Sequence, residues 1–157
     1  GLAGIALVVW LRASTLHAGC TLDIDGEAHA FAHTYAVAVP NAFDPKQQDV
    51  TILCFREAPA PAVPDAATLR WHRPDSGRID ITLHPSGAVT AVSIDSPPLT
   101  ASISGFGFGV EFEGEHSPDG RLRGAIRSTE SRTTHHDGVE SAPWRISADL
   151  DVDVLRP

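Results

Sequence analysis

The chain has 157 residues, 42% of them hydrophobic and 20% charged, which suits one globular domain and differs from the composition of a disordered protein. Aspartate and glutamate outnumber lysine and arginine by 20 to 12, so the formal net charge is −8. A chain of this charge repels phosphate backbones, and its densest group of arginines, at 121, 123 and 127, is matched by glutamates, so we expect no nucleic-acid partner.

The first eighteen residues are typical of a truncated secretory leader. Gly1 to Leu11 contains only glycine and apolar residues, which is too short for a membrane-spanning helix but fits the apolar region of a signal peptide. Ala18 suits the position before cleavage. We therefore predict a signal segment over 1–18, one domain over 19–157, and export to the periplasm or cell envelope of a bacterium. The alternative is that Leu2 to Leu11 belongs to the core of the mature domain.

Two alternatives are open for Cys20. The sequence Ala18-Gly19-Cys20 resembles the end of a bacterial lipoprotein signal, where the cysteine is acylated, although His17 departs from that pattern. In the other alternative, Cys20 forms a disulfide with Cys54 in an oxidising compartment. The two exclude each other because an acylated sulfur cannot form a disulfide. We expect contact with a membrane only in the first case.

From Thr21 onward, apolar residues recur at every second position, which predicts an all-β fold. Phe31 to Val39 is predicted as one long strand with alanines on its second face. Val50 to Phe55 is apolar throughout, which indicates a central strand covered on both faces. Arg56 to Thr68 contains three prolines and is predicted to be an extended crossover. Asp25-Gly26 marks a hairpin with a two- or three-residue loop.

Two glycine-containing loops, Asp75-Ser76-Gly77 and Pro85-Ser86-Gly87, predict a meander of three strands. The strands would be Leu69–Arg73, Arg78–His84 and Ala88–Ile94. Alternation then gives the meander one apolar face, made of Leu69, Trp71, Ile79, Ile81, Leu83, Val89 and Ala91.

The opposite, polar face of this meander is the candidate binding surface. The predicted register sets His72 directly opposite Asp80, as a hydrogen-bonded pair would require. A hydrated face is the ordinary property of an antiparallel sheet, so this face has both a functional and a purely structural interpretation. The candidate ligand-binding residues are Arg70, His72, Asp80 and His84.

The last third of the chain contains the clearest alternation. The loop Pro118-Asp119-Gly120 predicts a hairpin whose first strand begins at Phe106, and its register pairs Phe112 with Ile126, Glu111 with Arg127 and Glu115 with Arg123. Trp144 to Val154 alternates strictly and carries aspartates at 149, 151 and 153, which would suit a calcium ion or keep an edge strand soluble. With a further hairpin at Asp137-Gly138, the count is about eight or nine strands, which predicts an antiparallel β-sandwich.

The chain has eight histidines, but their spacing does not define a metal site. His135 and His136 are adjacent and would approach one ion only from a loop. No serine lies in a strand-to-helix elbow, so we assign no catalytic residue, metal or cofactor. The leading hypothesis is a non-catalytic exported binding or structural domain whose partner is a protein or a glycan. The alternative is a small secreted hydrolase or metal-dependent enzyme that uses the histidine-bearing sheet face or the His135-His136 loop.

Three segments, His33-Thr34-Tyr35-Ala36, Pro40-Asn41-Ala42-Phe43-Asp44 and Asp49-Val50-Thr51-Ile52-Leu53, resemble a loose group of bacterial secreted proteins of unknown activity. The resemblance covers most of the mature chain, with Cys54 in place of an expected aliphatic residue. It implies export and a β-rich fold, and it supplies no activity and no site residue.

Overall fold

The structure is a computed structural model that describes residues 19–60, 64–97 and 99–157. The predicted leader over 1–18 lies outside the described residues. The described chain forms twelve strands and one short helix: β1 (Gly19–Ile24), β2 (Glu27–Phe31), β3 (His33–Pro40), β4 (Gln48–Phe55), α1 (Ala66–Trp71), β5 (Arg78–Leu83), β6 (Val89–Ser96), β7 (Leu99–Ser104), β8 (Val110–Glu115), β9 (Arg121–Ser128), β10 (His135–His136), β11 (Val139–Glu140) and β12 (Trp144–Leu155).

Ten of these strands form one curled, mixed sheet. Eight follow the order β2-β1-β12-β3-β4-β5-β6-β7, and the other two are β9, which also pairs with β12, and β8, which pairs with β9. Strand β12 is long enough to pair with three neighbours. It is antiparallel to β1 and β9, whereas its end runs parallel to β3 through the pairs Val154–Ala36 and Leu155–Val37. The prediction of an all-β fold is confirmed. The sheet is mixed, however, and its curl takes the place of the antiparallel sandwich that alternation predicted.

The curl encloses a core to which all ten strands contribute, with Trp144 and Phe31 as its largest fully buried side chains. Strand β12 alternates as predicted: Trp144, Ile146, Ala148 and Leu150 are buried, and the aspartates between them are exposed. The segment 31–39 was predicted as one strand. In the structure the strand is interrupted at Ala32, so that Phe31 ends β2 and His33 begins β3. Ala36 and Ala38 face this core, and Tyr35, Val37 and Val39 face the other side of the sheet.

Strand β4 is buried on both faces, as predicted. Ile52 and Cys54 point into the main core, whereas Leu53 and Phe55 point outward and are covered by α1. The prediction that Leu69–Arg73 is a strand is therefore wrong, because this segment contains the second half of a helix.

Helix α1 starts at a defined cap. The Asp65 carboxylate accepts a hydrogen bond from the backbone N–H of Thr68 at 2.7 Å, as an N-cap does. The backbone hydrogen bond from Thr68, followed by the one from its side chain, lowers the pKa of Asp65 below its ordinary value. Ala66 and Leu69 lie three apart and are both buried, which is a helical repeat. Trp71, predicted to be buried, is 77% exposed.

Of two predicted hairpins, only β8–β9 has the expected register throughout. In β8–β9, Glu111 pairs with Arg127, Phe112 with Ile126 and Glu115 with Arg123. In β5–β6 the register shifts after Thr82, so that Ala91 lies on the outer side and Val92 takes the core position that was predicted for Ala91. The Asp25-Gly26 and Asp137-Gly138 hairpins both have two-residue loops with positive φ.

The aspartates of β12 do not line an edge. Strand β12 lies between β1 and β9, and its carboxylates form ion pairs with the β9 arginines: Arg121 with Asp151 and Asp153, Arg123 with Asp151, and Arg127 with Asp149. The hydrogen bond from Arg121 lowers the pKa of Asp151 below its ordinary value. Arg123 and Arg127, which were predicted to pair with glutamates of β8, thus form their ion pairs with aspartates of β12, on the other side of β9.

A disulfide joins Cys20 of β1 to Cys54 of β4, with a Cα–Cα distance of 6.1 Å. Both cysteines are buried in the main core. Of the two alternatives for Cys20, the structure has the disulfide. A sulfur atom in a disulfide is not available for an acyl chain. No helix within the described residues is long and apolar enough to span a membrane.

We expect the disulfide to contribute strongly to stability, because it joins residues separated by 34 positions and restricts the unfolded chain. Loops of roughly 15 to 100 residues correspond to about 3 to 4.7 kcal/mol. Replacing both cysteines by alanine should lower the free energy of unfolding by about that amount in a denaturant titration. Equal denaturation midpoints for the oxidised wild type and the double variant would contradict this prediction.

Gly114 and Gly124 face each other across β8 and β9, both with positive φ, and a Cβ atom at Gly114 would overlap the carbonyl oxygen of Arg123. Gly114→Ala should therefore add backbone strain of about 1–3 kcal/mol and overpacking of about 1–3 kcal/mol. The control is Gly138→Ala, where φ is also positive but no atom lies within 4 Å. Thermal unfolding should show a clearly larger loss for Gly114→Ala, and equal losses would contradict the overlap.

Candidate functional site

The outer face of β4 and β5 is the most distinctive surface of the described chain. Alternation in β5 directs Ile79, Ile81 and Leu83 into the core, so that Arg78 and Asp80 lie on the opposite face. Helix α1 covers only one end of this face, over Leu53 and Phe55. We call the uncovered remainder the outer groove, with Thr51, Asp80 and Thr82 on its floor.

Arg78 fixes the end of α1 against this face. Its side chain is 6% exposed, and its guanidinium forms a two-point ion pair with Asp80 through hydrogen bonds of 2.5 and 2.8 Å. The Nη1 group donates to three backbone carbonyl oxygens at the helix end, at 2.8 to 3.0 Å: those of Leu69, Arg70 and His72. A helix terminus leaves its last carbonyls short of partners; here the Leu69 carbonyl also accepts from the His72 N–H at 3.3 Å, and Arg78 is the donor to those of Arg70 and His72. One buried cation therefore closes the helix and attaches it to β5.

The four candidate ligand-binding residues do not form one cluster. Arg70 and Asp80 line the outer groove, and His84 lines a pocket at its far end. The predicted pairing of His72 with Asp80 is wrong. The Asp80 carboxylate forms its ion pair with Arg78, and the His72 ring packs against Phe55 with the ring centroids 5.2 Å apart. The pairing failed because it assumed a strand where the chain forms α1.

The pocket at the far end has a volume of about 670 Å³, against about 360 Å³ for the cavity of the outer groove. Two loops form its walls: residues 41–47 between β3 and β4, and the start of the β7–β8 loop. Each loop contributes an exposed aromatic ring, Phe43 at 97% exposure and Phe106 at 69%. Rings held in solvent beside a concave pocket are typical of a binding site.

Asn41 shapes the loop that carries Phe43. Its side-chain oxygen accepts hydrogen bonds from the backbone N–H groups of Phe43 and Asp44, each at 2.9 Å, and its amide donates to Asp49 at 2.9 Å. This is a turn in which an asparagine side chain takes the place of backbone. Because Asn41 and Asp49 are both buried, the loop is fixed to the start of β4.

The loop that carries Phe106 is also anchored. The Gly105 N–H donates to the carbonyl of Thr90 at 2.9 Å. Phe108 is buried, and Arg132 donates to its carbonyl while its guanidinium lies over the Phe108 ring. The Phe106 ring meets the His84 ring edge to face, with the centroids 5.9 Å apart.

His84 presents a hydrogen-bond donor to the pocket. Its Nδ1 accepts from the backbone N–H of Ser86 at 3.1 Å, so the proton of the neutral ring is on Nε2. Val50 pairs with Leu83, and the same antiparallel register, extended by one position, sets Asp49 opposite His84. A carboxylate acceptor and an imidazole donor therefore lie on one face of neighbouring strands.

The pocket and the outer groove adjoin at Thr82, which lines both. The groove adds a cavity of about 360 Å³ beside the end of α1, where Arg70, Trp71 and Arg73 stand next to Arg78 and Asp80. From Arg78 to His84, the residue after β5, the combined surface follows six residue steps, or about 20 Å at 3.4 Å per residue.

The described residues contain no group of three or more histidine, cysteine, aspartate or glutamate side chains placed to hold a metal ion. His135 and His136 form β10, which pairs with β11. His136 lies 3.4 Å from Asp137, and both residues are exposed.

Four pocket residues were not identified from the sequence: Asn41, Phe43, Asp49 and Phe106. Phe106 was assigned to a buried strand face because it alternates with Phe108 and Val110, but the β8 strand begins only at Val110. An asparagine beside an isolated phenylalanine was the available signal for a turn that exposes Phe43.

Comparisons of the chain with protein-family models, with curated proteins and with solved structures find no match. The resemblance to a loose group of bacterial secreted proteins therefore stays a prediction.

Replacing Arg78 by leucine should remove the attachment of α1. The change leaves the Asp80 carboxylate and the carbonyls of Arg70 and His72 without the guanidinium, and breaking a buried pair in this way costs roughly 3 kcal/mol or more. Chemical denaturation should show that loss. Arg123→Gln, in an exposed ion pair on β9, is the control and should leave the denaturation midpoint close to wild type. Similar midpoints for the two variants would contradict the role of Arg78.

Proposed function

We propose that this chain is a non-catalytic glycan-binding domain of the bacterial periplasm or cell envelope, and that its ligand binds in the pocket between Phe43 and Phe106. The observation that carries the proposal is the pairing of two exposed rings with hydrogen-bonding side chains in one pocket of about 670 Å³. Sugars present apolar C–H faces and hydroxyl groups together, and a pocket of this composition complements both.

The backbone around the pocket favours a glycan over an extended peptide. Peptides that bind a sheet by strand addition need an edge with free N–H and C=O groups. Strands β4, β5 and β6 are each paired on both sides, so a ligand here must bind through side chains. The floor carries hydroxyls, among them Thr82 and Thr90, which is unsuited to the apolar face of a helix.

The hydrogen-bonding groups support binding in preference to catalysis. A sugar hydroxyl donates and accepts, and the pocket offers Asp49 as an acceptor and His84 Nε2 as a donor. A histidine acting as a general base must present an unprotonated nitrogen to its substrate. In His84 the unprotonated nitrogen is Nδ1, which is hydrogen-bonded within its own turn.

Two further observations support export. The disulfide between Cys20 and Cys54 is of a kind that persists in oxidising compartments such as the periplasm. The apolar segment over 1–11, followed by a small residue at position 18, has the pattern of a signal peptide.

The proposal predicts that the purified chain binds a member of a panel of neutral and acidic oligosaccharides in isothermal titration calorimetry, and that Phe106→Ala weakens this binding about two- to tenfold. One aromatic contact contributes about 0.5–1.5 kcal/mol. The matched control is Val139→Ala, because Val139 is also 69% exposed but lies on the β10–β11 hairpin. Its affinity should equal that of wild type.

Three results would overturn this proposal. The first is the absence of binding across the panel, and the second is an equal effect of Phe106→Ala and Val139→Ala. The third is release of shorter sugars during incubation, which would favour the hydrolase alternative.

A further inference from the structure

The outer groove carries a cationic, aromatic surface that the pocket alone does not explain. Trp71 is 77% exposed at the end of α1, and Arg70 and Arg73 on either side of it are exposed as well. Neither arginine forms an ion pair with any residue in the described ranges. An exposed tryptophan between two unpaired arginines indicates a surface that meets something anionic.

The local charge is opposite to that of the whole chain. The part of the groove beside α1 is lined by three arginines and one aspartate, Arg70, Arg73, Arg78 and Asp80, on a chain of net charge −8. The Arg78 charge is matched by Asp80, so the excess belongs to Arg70 and Arg73. The next acidic side chain along the face is Asp95, which lines a neighbouring cavity together with Arg73 and Arg78. The excess positive charge of the groove therefore lies on the two arginines that flank Trp71.

The two ends of the combined surface are chemically different. The pocket around His84 contains Asp44 and Asp49 and no arginine or lysine, and the groove around Trp71 contains the arginines. A ligand that crosses Thr82 from one end to the other would place hydroxyl-bearing rings between Phe43 and Phe106 and negative charge near Trp71. The distance of about 20 Å along β5 requires a chain of several sugars.

We infer that the ligand is an acidic oligosaccharide, which extends from the pocket along the outer groove and places a carboxylate-bearing sugar between Arg70 and Arg73, over Trp71. This inference rests on the proposed function and adds the chemical class and the direction of the ligand. Guanidinium groups bind carboxylates with two parallel hydrogen bonds, so the arginines select charge and the rings hold the sugar faces. Arg78 is not expected to bind the sugar carboxylate, because its guanidinium already donates hydrogen bonds to three backbone carbonyls and to Asp80.

The experiment uses acidic oligosaccharides, each tested beside its methyl-esterified counterpart, which has the same sugars without the charge. Calorimetry on the full chain should show about tenfold tighter binding of the acidic form at low ionic strength. The difference should shrink as salt is added, because exposed charges are screened. The double variant Arg70→Gln/Arg73→Gln should bind both forms with the wild-type affinity for the esterified one.

A second double variant, Arg145→Gln/Arg156→Gln, is the charge-matched control. It removes the same number of exposed arginines, neither of which lines the groove or the pocket, and should keep the preference for the acidic form. Circular dichroism establishes that both variants fold, which is expected because Arg78 contacts the backbone carbonyl of Arg70 and not its side chain.

The outcomes separate this inference from the proposed function. Equal binding of acidic and esterified forms by the wild type would overturn the inference and leave the glycan-binding function standing. A preference that survives in Arg70→Gln/Arg73→Gln, or that disappears in the control variant, would overturn the assignment to these two arginines. Absence of binding by every oligosaccharide would overturn both.

Discussion

The arrangement of the outer surface depends on one buried cation, Arg78. A six-residue helix has too few internal hydrogen bonds to be stable alone. Helix α1 is held by an apolar contact through Leu69 and by the Arg78 guanidinium, which donates hydrogen bonds to carbonyl oxygens at the helix end. The same guanidinium is fixed by Asp80 on the sheet. Without this connection, the segment with Arg70, Trp71 and Arg73 would have no defined position beside β5.

The curl of the sheet explains why the proposed binding surface lies on its outside. The inner face is filled by one core to which all ten strands contribute, and the disulfide joins β1 to β4 across it. The outer face is covered by α1 only in part, and its uncovered strands carry threonines, an aspartate and a histidine at alternate positions. Loops at one end and the helix at the other add the exposed rings. The fold thus provides a rigid polar floor with aromatic walls, which is the basis of the proposed glycan site.

Local signals were sufficient for much of the fold. The β8–β9 register followed from the Pro118-Asp119-Gly120 loop, and the burial of β12 from strict alternation. Helix α1 was missed because Leu69 and Trp71, two residues apart, imitate a strand, whereas the informative feature was Asp65 three residues before Thr68. The parallel pairing of β12 with β3 involves residues more than a hundred positions apart, so no local pattern contains it. For the site, alternation identified Asp80 and His84 on the outer face, but the exposure of Phe43 and Phe106 depends on tertiary anchoring of two loops.

The most direct test of this account is to map the bound ligand by NMR, with an acidic oligosaccharide titrated into the isotope-labelled full chain. The account predicts that shift changes cluster on the outer face, at Thr82, His84 and Phe106, together with the indole N–H of Trp71. Intermolecular contacts should connect the charged sugar with Trp71 and an uncharged one with Phe106. Shift changes confined to the β10–β11 hairpin or to the edge strands β2 and β8 would contradict it.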